Sequence, residues 1–182
     1  MTLMSTGSFS TIDTLNIGQM TPDVFKLVDY DTVLVWVDTP LNDAVMLGDE
    51  LASYVDGGGR VVTAAFAAKE IKGRFLTGGY LLVSHMSGTC DVGALGKIID
   101  PNSPLVIGVQ KLTAGSGCRS IGGPINGGVA VAQWGDGAPL IVTGKVNGRT
   151  RVDLNMIPVG DPDFMTSWVG DGAAILRNAL VY

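Results

Sequence analysis

The stretch TVLVWVDTPLNDAVMLGDELASYVDGGGRVVTAAF, Thr32 to Phe66, decides the fold. TVLVWV, Thr32 to Val37, is apolar nearly throughout, the pattern of a strand covered on both faces, as in a parallel sheet. After Asp38 and Pro40 the period changes. Leu47, Leu51, Tyr54 and Val55 recur at i, i+4, i+7 and i+8, which places them on one face of a helix from about Asn42 to Val55. Gly57-Gly58-Gly59 stops that helix. RVVTAAF then reads as the next strand. Strand, helix, strand with short links makes a right-handed βαβ unit.

Working outward, Thr21-Pro22 is the expected start of an earlier helix, with Thr as the cap and Pro where its missing N–H costs nothing. Val24, Phe25, Leu27 and Val28 form its apolar face, and it ends near Asp29. Downstream, GGYLLVSH (Gly78 to His85) contains a strand, and PLVIGV (Pro104 to Val109) is read as another. From Gly128 the pattern turns antiparallel: VAVAQW, a Gly135-Asp136-Gly137 turn, PLIVTGKV, then Asn147-Gly148 and RTRVDLNMI. Asn-Gly between two alternating runs is a strong hairpin signal, because both turn positions need positive φ. A last helix runs from about Asp171 to Val181, with Ala173, Leu176, Ala179 and Leu180 as its stripe. The expected class is α/β, with a mostly parallel sheet and a C-terminal antiparallel β-meander in a single domain, 1–182.

Composition narrows the function classes. The chain has 182 residues, 46% hydrophobic, enough for a sizeable core. Twenty-six glycines argue for strands and tight turns and against a helical bundle. A net charge of −5, with twelve scattered basic residues, argues against a nucleic-acid surface, which needs clustered Lys and Arg. MTLMSTGSFS has no basic n-region and no apolar h-region, so no signal peptide is visible. No apolar run approaches the ~18–20 residues that span a bilayer. A soluble protein of a reducing compartment, the cytoplasm, is therefore expected. Two cysteines make no disulfide framework, although one bridge between Cys90 and Cys118 is open to them.

Three stretches together resemble one superfamily. YDTVLVW followed by LGDELASYVDGGGRVVTAAFA resembles the central βαβ of class I glutamine amidotransferase-like proteins, including the ThuA-like branch. SPLVIGVQKL resembles the superfamily's His-Pro-Leu-x-x-Gly-Val segment, with Ser103 where His is common. RTRVDLNMIPVG and SWVGDGAAILRNALVY resemble its closing strand and helix. The resemblance runs from about Tyr30 to Tyr182 and implies a flavodoxin-like three-layer sandwich with a small antiparallel extension. It also implies a first strand and helix ahead of the segment that GSFSTIDTLNI resembles, so the chain is expected to begin at the family's second strand, near Ser8–Leu15. The strand near Ser8–Leu15 would then pair directly with Thr32–Val37, or a second copy would close the gap; a homodimer is the preferred expectation.

Active members of that superfamily carry a Cys on the sharp turn after the strand that RVVTAAF matches, with a His later and an acid beside it. Such chemistry needs a thiolate, a base and N–H donors for the oxyanion. Here the turn carries Phe66 between alanines, and the single histidine, His85, follows a different strand with no acid two residues on. The nucleophile does not carry over, and glutamine hydrolysis is not expected.

The remaining chemistry-bearing residues have plainer readings. Cys90 lies five residues after His85, but a structural or free thiol is preferred to a Cys–His pair. Cys118 has Arg119 beside it, which could lower its pKa, and is again read as structural. A lone His makes no zinc site. The GDG and GDPD turns lack calcium-loop spacing. The triple glycine follows a helix, where a phosphate loop would precede one. One location survives on topology: ligands of open parallel sheets bind beyond the carboxyl ends of the strands. That edge would gather Asp38, Phe66, Lys69, Glu70 and His85, with Trp168 and Asp171 ahead of the last helix, a mixture that suits a sugar or other small polar ligand. Phe66 itself is expected to be buried packing at the strand end. No metal or cofactor is called for. The expected function is a catalytically silent binding or assembly domain; the alternative is a ThuA-like enzyme or sugar-processing protein with a site rebuilt around Asp38, Glu70 and His85.

Overall fold

The computed structural model describes residues 3–85, 87–115, 117–159 and 168–182. In chain order the elements are α1 (Val24–Leu27), β1 (Thr32–Val35), α2 (Ala44–Asp56), β2 (Arg60–Thr63), α3 (Ala67–Glu70) and α4 (Gly73–Thr77). Then come β3 (Gly88–Thr89), β4 (Gly93–Ile98), β5 (Leu112–Ala114), β6 (Arg119–Ser120), β7 (Val129–Trp134), β8 (Pro139–Val146), β9 (Arg149–Leu154), β10 (Trp168–Gly170) and α5 (Gly172–Val181).

The βαβ unit forms as its periods demand. Asp43 caps α2, accepting from the N–H groups of Val45 and Met46 at 3.0 and 2.9 Å. Leu47, Leu51, Tyr54 and Val55 are all buried, and Gly57 closes the helix. Gly48 allows the closest approach on α2: a Cβ there would lie 1.9 Å from the Lys72 carbonyl oxygen. The first helix starts later than Thr21-Pro22. Asp23 takes the cap by accepting from the Lys26 N–H, and Glu50 of α2 accepts from the Val24 N–H at 2.6 Å, so the carboxylates set the start.

The sheet has the order β1-β2-β9-β8-β7-β4-β5-β10. β1–β2 and β2–β9 are parallel, and the other five pairings are antiparallel. The expected mostly parallel sheet is thus corrected to a mostly antiparallel one. The turns after Trp134 and Val146 join the antiparallel neighbours expected of the meander. The difference comes from β4, β5 and β10, which pair antiparallel with β7 and with one another, while the segments expected to add further strands to the parallel set stay out of the sheet. β9 is both the last strand of the meander and the third parallel strand. The Asn147-Gly148 turn is as short as expected, pairing Val146 with Arg149, with φ of 50° and 76°.

Three expected strands are absent. Pro104–Val106 is a 3₁₀ turn whose entry Ser103 caps, accepting from the Leu105 N–H; proline at its start favours the turn over a ladder. GGYLLVSH contributes one isolated bridge, Val83 to Pro124. Its Leu82 and Val83 N–H groups donate to the Asp153 carboxylate at 2.6 and 3.2 Å, where a neighbouring strand would otherwise accept them. Ser8–Leu15 forms no strand, so no strand among the described residues pairs with the outer side of β1.

Apolar side chains pack on both faces of the sheet. Val62, Leu140, Val152 and Leu154 meet Ile175 and Leu176 of α5 on one side. Val61 and Val142 meet Leu51 and Val55 of α2 and Phe75 of α4 on the other. Under the second layer lies a buried ion pair: Arg151 Nη2 donates to Asp153 Oδ1 at 2.9 Å, with Arg151 fully covered. No helix among the described residues is long and apolar enough to cross a membrane.

Candidate functional site

The three parallel strands end along one line. Beyond the regular ladder, the Val37 N–H donates to the Ala65 carbonyl (3.4 Å) and the Ala65 N–H to the Met156 carbonyl (2.9 Å). Those bonds set Asp38, Phe66 and Ile157 side by side at the carboxyl edge.

Phe66 is the centre of that line. Its φ of 66° and ψ of −15° are left-handed, a conformation that non-glycine residues adopt only where the surroundings enforce it. Its carbonyl accepts the N–H groups of Lys69 and Glu70 at 3.0 and 3.1 Å, so the chain passes from β2 into α3 within one residue. Phe66 is not the buried packing group expected from its type: it is 39% exposed. Ala64, Ala65 and Ala67 fill the interior instead, and the positive-φ turn takes the ring out of the strand's in–out alternation.

The other candidates are spread along the same edge with different roles. Asp38 is exposed. Lys69 and Glu70 form a surface pair at 3.8 Å, of the kind worth little. His85 sits in a loop held beside the end of β9. The Ser120 hydroxyl donates to the carbonyls of Ser84 and Ser87, and the Asn155 amide accepts from the Ser120 N–H at 2.8 Å and donates to its carbonyl at 2.7 Å. The Nδ1 of His85 is buried and makes no hydrogen bond with any described residue. Trp168 pairs with Ala114 at the far edge of the sheet, and its ring lines a cavity large enough for about one water, together with Cys118, Trp134, Met156 and Ile157. Asp171 is committed elsewhere: its carboxylate accepts the N–H groups of Gln110 and Lys111, both at 2.8 Å. Those two backbone donors hold its carboxyl below the usual range.

No hydrogen bond or ion pair joins Asp38, Glu70 and His85 among the described residues. Nor do three or more His, Cys, Asp or Glu side chains among those residues gather as metal ligands.

A second cluster beside the edge had little sequence signal. Cys90 and Cys118 are bridged. Arg119, buried to 5%, lies with its guanidinium 5.3 Å from the Trp134 ring and pairs with Asp136 at 2.6 Å. Burial pushes the Asp136 carboxyl up, but the bonds from Arg119 and the Ala138 N–H outweigh it and hold it low. The sequence left the bridge open as one alternative and showed the adjacency of Cys118 and Arg119, but not the pairing of Arg119 with Asp136.

Solved structures with this fold are known. The chain superposes on a cytoplasmic protein from Salmonella typhimurium with a TM-score of 0.65 and 14% identity, covering 91% of this chain and 76% of that one. A ThuA-like protein from Bacteroides uniformis gives 0.64 and 16%, over 91% and 73% of the two chains. A second cytoplasmic protein, from Salmonella typhimurium LT2, gives 0.60 and 15%, over 87% and 74%. At such identities the likeness establishes a shared fold: the chain has the fold of ThuA-like proteins. No family model matches it, and no curated protein matches its sequence.

Proposed function

We propose that this chain is a catalytically silent amidotransferase-like domain that acts as a binding or assembly module, with its ligand at the carboxyl edge of the strands. The observation that carries the proposal is Phe66, which occupies the strand-to-helix turn where the enzymes it resembles place a nucleophilic Cys. The turn retains the left-handed backbone while its side chain cannot attack a carbonyl. A half-exposed ring beside the exposed Asp38 offers an apolar face and an acid, the pairing that holds a sugar or small polar molecule. The rival assignment, a ThuA-like enzyme rebuilt on Asp38, Glu70 and His85, needs those groups within hydrogen-bond reach of a shared point. Among the described residues Glu70 pairs with Lys69, not with Asp38 or His85. No cofactor is required, and a cytoplasmic location, the description borne by two of the fold neighbours, belongs to the same proposal.

Assembly as a homodimer belongs to it as well. β1 has an open outer side, and Phe25 and Val28, just before it, are 81% and 61% exposed. Unpaired strand edges invite a second chain.

Two measurements test the proposal. A thermal-shift screen with mono- and oligosaccharides should find a ligand that raises the melting temperature of the full chain, with the rise lost in Phe66→Ala. Size-exclusion chromatography with light scattering at micromolar concentration should give twice 18.9 kDa. A monomer that no ligand stabilises, or a measurable release of ammonia from glutamine, overturns it.

A further inference from the structure

We propose that the Cys90–Cys118 disulfide is a reducible latch on the loop pair at the carboxyl edge, opening that pair without unfolding the sheet. The latch stands on geometry alone and holds whatever the edge binds.

The bridge lies on a very small element. β3 and β6 pair only as Gly88 with Ser120 and Thr89 with Arg119, and the disulfide takes the next position of the same register. Outside the bridge, the two loops are held by the Ser120 hydroxyl, by Arg119, whose side chain bonds to both loops and to Asp136, and by a few backbone bonds. Gly117 N–H donates to the Asp91 carbonyl (3.0 Å), Ile121 N–H to that of Ser87 (3.1 Å), and Ser84 N–H to that of Gly123 (3.1 Å). The pair rests on the sheet through Asn155, the residue after β9, and through Arg119, which meets Trp134 and Asp136. A chain with this much buried core does not depend on one bridge to fold. Such a bridge, across a two-residue ribbon, controls the ribbon.

The two cysteines differ in exposure. Cys90 is exposed, while Cys118 is buried and lines the small cavity beneath Trp168. An incoming thiol therefore meets Cys90. Arg119 lies beside both cysteines: its Nη1 donates to the Gly117 carbonyl at 2.6 Å and to the Asp91 carbonyl at 3.0 Å, one residue from each, while its Nη2 is paired with Asp136. With a dithiol reductant, one thiolate attacks Cys90 Sγ, the Cys90–Cys118 bond breaks, and its electron pair leaves on Cys118, which takes up a proton. The reductant's second thiolate then attacks its own sulfur in the mixed disulfide, closing the reductant's disulfide and releasing Cys90 as a thiol. Two electrons and two protons pass to the protein.

The test uses the full chain and dithiothreitol as the probe. Air-exposed protein, denatured with iodoacetamide and no reductant, should show no alkylation at either cysteine. Under native conditions, reduction should speed amide exchange at least ~10-fold in residues 87–92 and 117–121, leave β2, β8 and β9 protected, and reverse on reoxidation. The Cys90→Ser, Cys118→Ser variant should show the fast exchange without reductant. Free thiols in the air-exposed protein, unchanged exchange on reduction, or loss of protection throughout the sheet would each overturn the latch.

Discussion

Asp153→Asn is the sharpest test of what holds the middle of the chain in place. The substitution keeps the shape of the side chain and removes its charge. Arg151 would then be a fully covered cation with no counter-charge; its remaining contacts are the Tyr80 carbonyl at 3.2 Å and the Phe75 ring, whose centroid lies 4.9 Å from the guanidinium carbon. The new amide could serve the Leu82 and Val83 N–H groups through its oxygen, but its NH₂ would face Arg151 donor to donor. Breaking a buried pair from one side costs about 3–5 kcal/mol. With about 2 kcal/mol/M as the urea dependence, the unfolding midpoint should fall by about 1.5–2.5 M, read by far-UV circular dichroism. Adding Arg151→Met removes the stranded charge while keeping the acceptor, so the double variant should regain at least about 1 kcal/mol over the single one. A single variant within about 0.5 M of the parent, or a double variant no better than the single, would refute the role assigned to the pair.

The remaining expectations are quicker to state. Phe66→Ala should cost less than about 1.5 kcal/mol, because the ring is 39% exposed, and Phe66→Gly should relieve the left-handed backbone and match or exceed it in melting temperature; a loss of about 3 kcal/mol would mean the ring is core. Gly148→Val puts a β-branched residue at φ 76° and should lower stability by more than about 1 kcal/mol in the same urea assay. Asp56 accepts from the Tyr80 hydroxyl at 2.6 Å, from Asn147 at 3.0 Å and from Arg74 at 2.6 Å, and the Tyr80 and Asn147 bonds foremost lower its pKa from 3.8. A depressed folded-state pKa adds stability above the unfolded carboxyl's range and loses it as pH falls through the folded value. Asp56→Asn should therefore be less stable than the parent at pH 7 and approach it as the pH drops below about 4; a gap that stays constant would rule the carboxylate out.

How much of this was legible follows from the range of each interaction. The β1-α2-β2 unit could be read because its strand and helix periods differ sharply over adjacent residues. The hairpin could be read because Asn147 and Gly148 are the residue types that accept φ of 50° and 76°. The buried pair could not. Alternation in RTRVDL puts Arg151 and Asp153 opposite Val152 and Leu154, and charge alone assigns that side to water. What covers it is the 80–83 segment, about 70 residues away, whose own apolar run looked like a strand. The choice of the carboxyl edge as the candidate site came from topology. Its details did not, because the exposure of Phe66 depends on one backbone angle and the use of Asp171 depends on two amides some 60 residues upstream.

The position of β9 governs what happens while the chain is being made. Val62 of β2 waits for Val152, 90 residues downstream. At about 5–20 residues per second, a ribosome needs roughly 5–18 s to cover that distance. Throughout that interval the nascent βαβ piece carries one side of β2 unpaired, although α2 is already able to dock. A chain released before Arg149 has no internal strand to close it. Truncated products should therefore aggregate through β2, and the cell's holding chaperones have their window there.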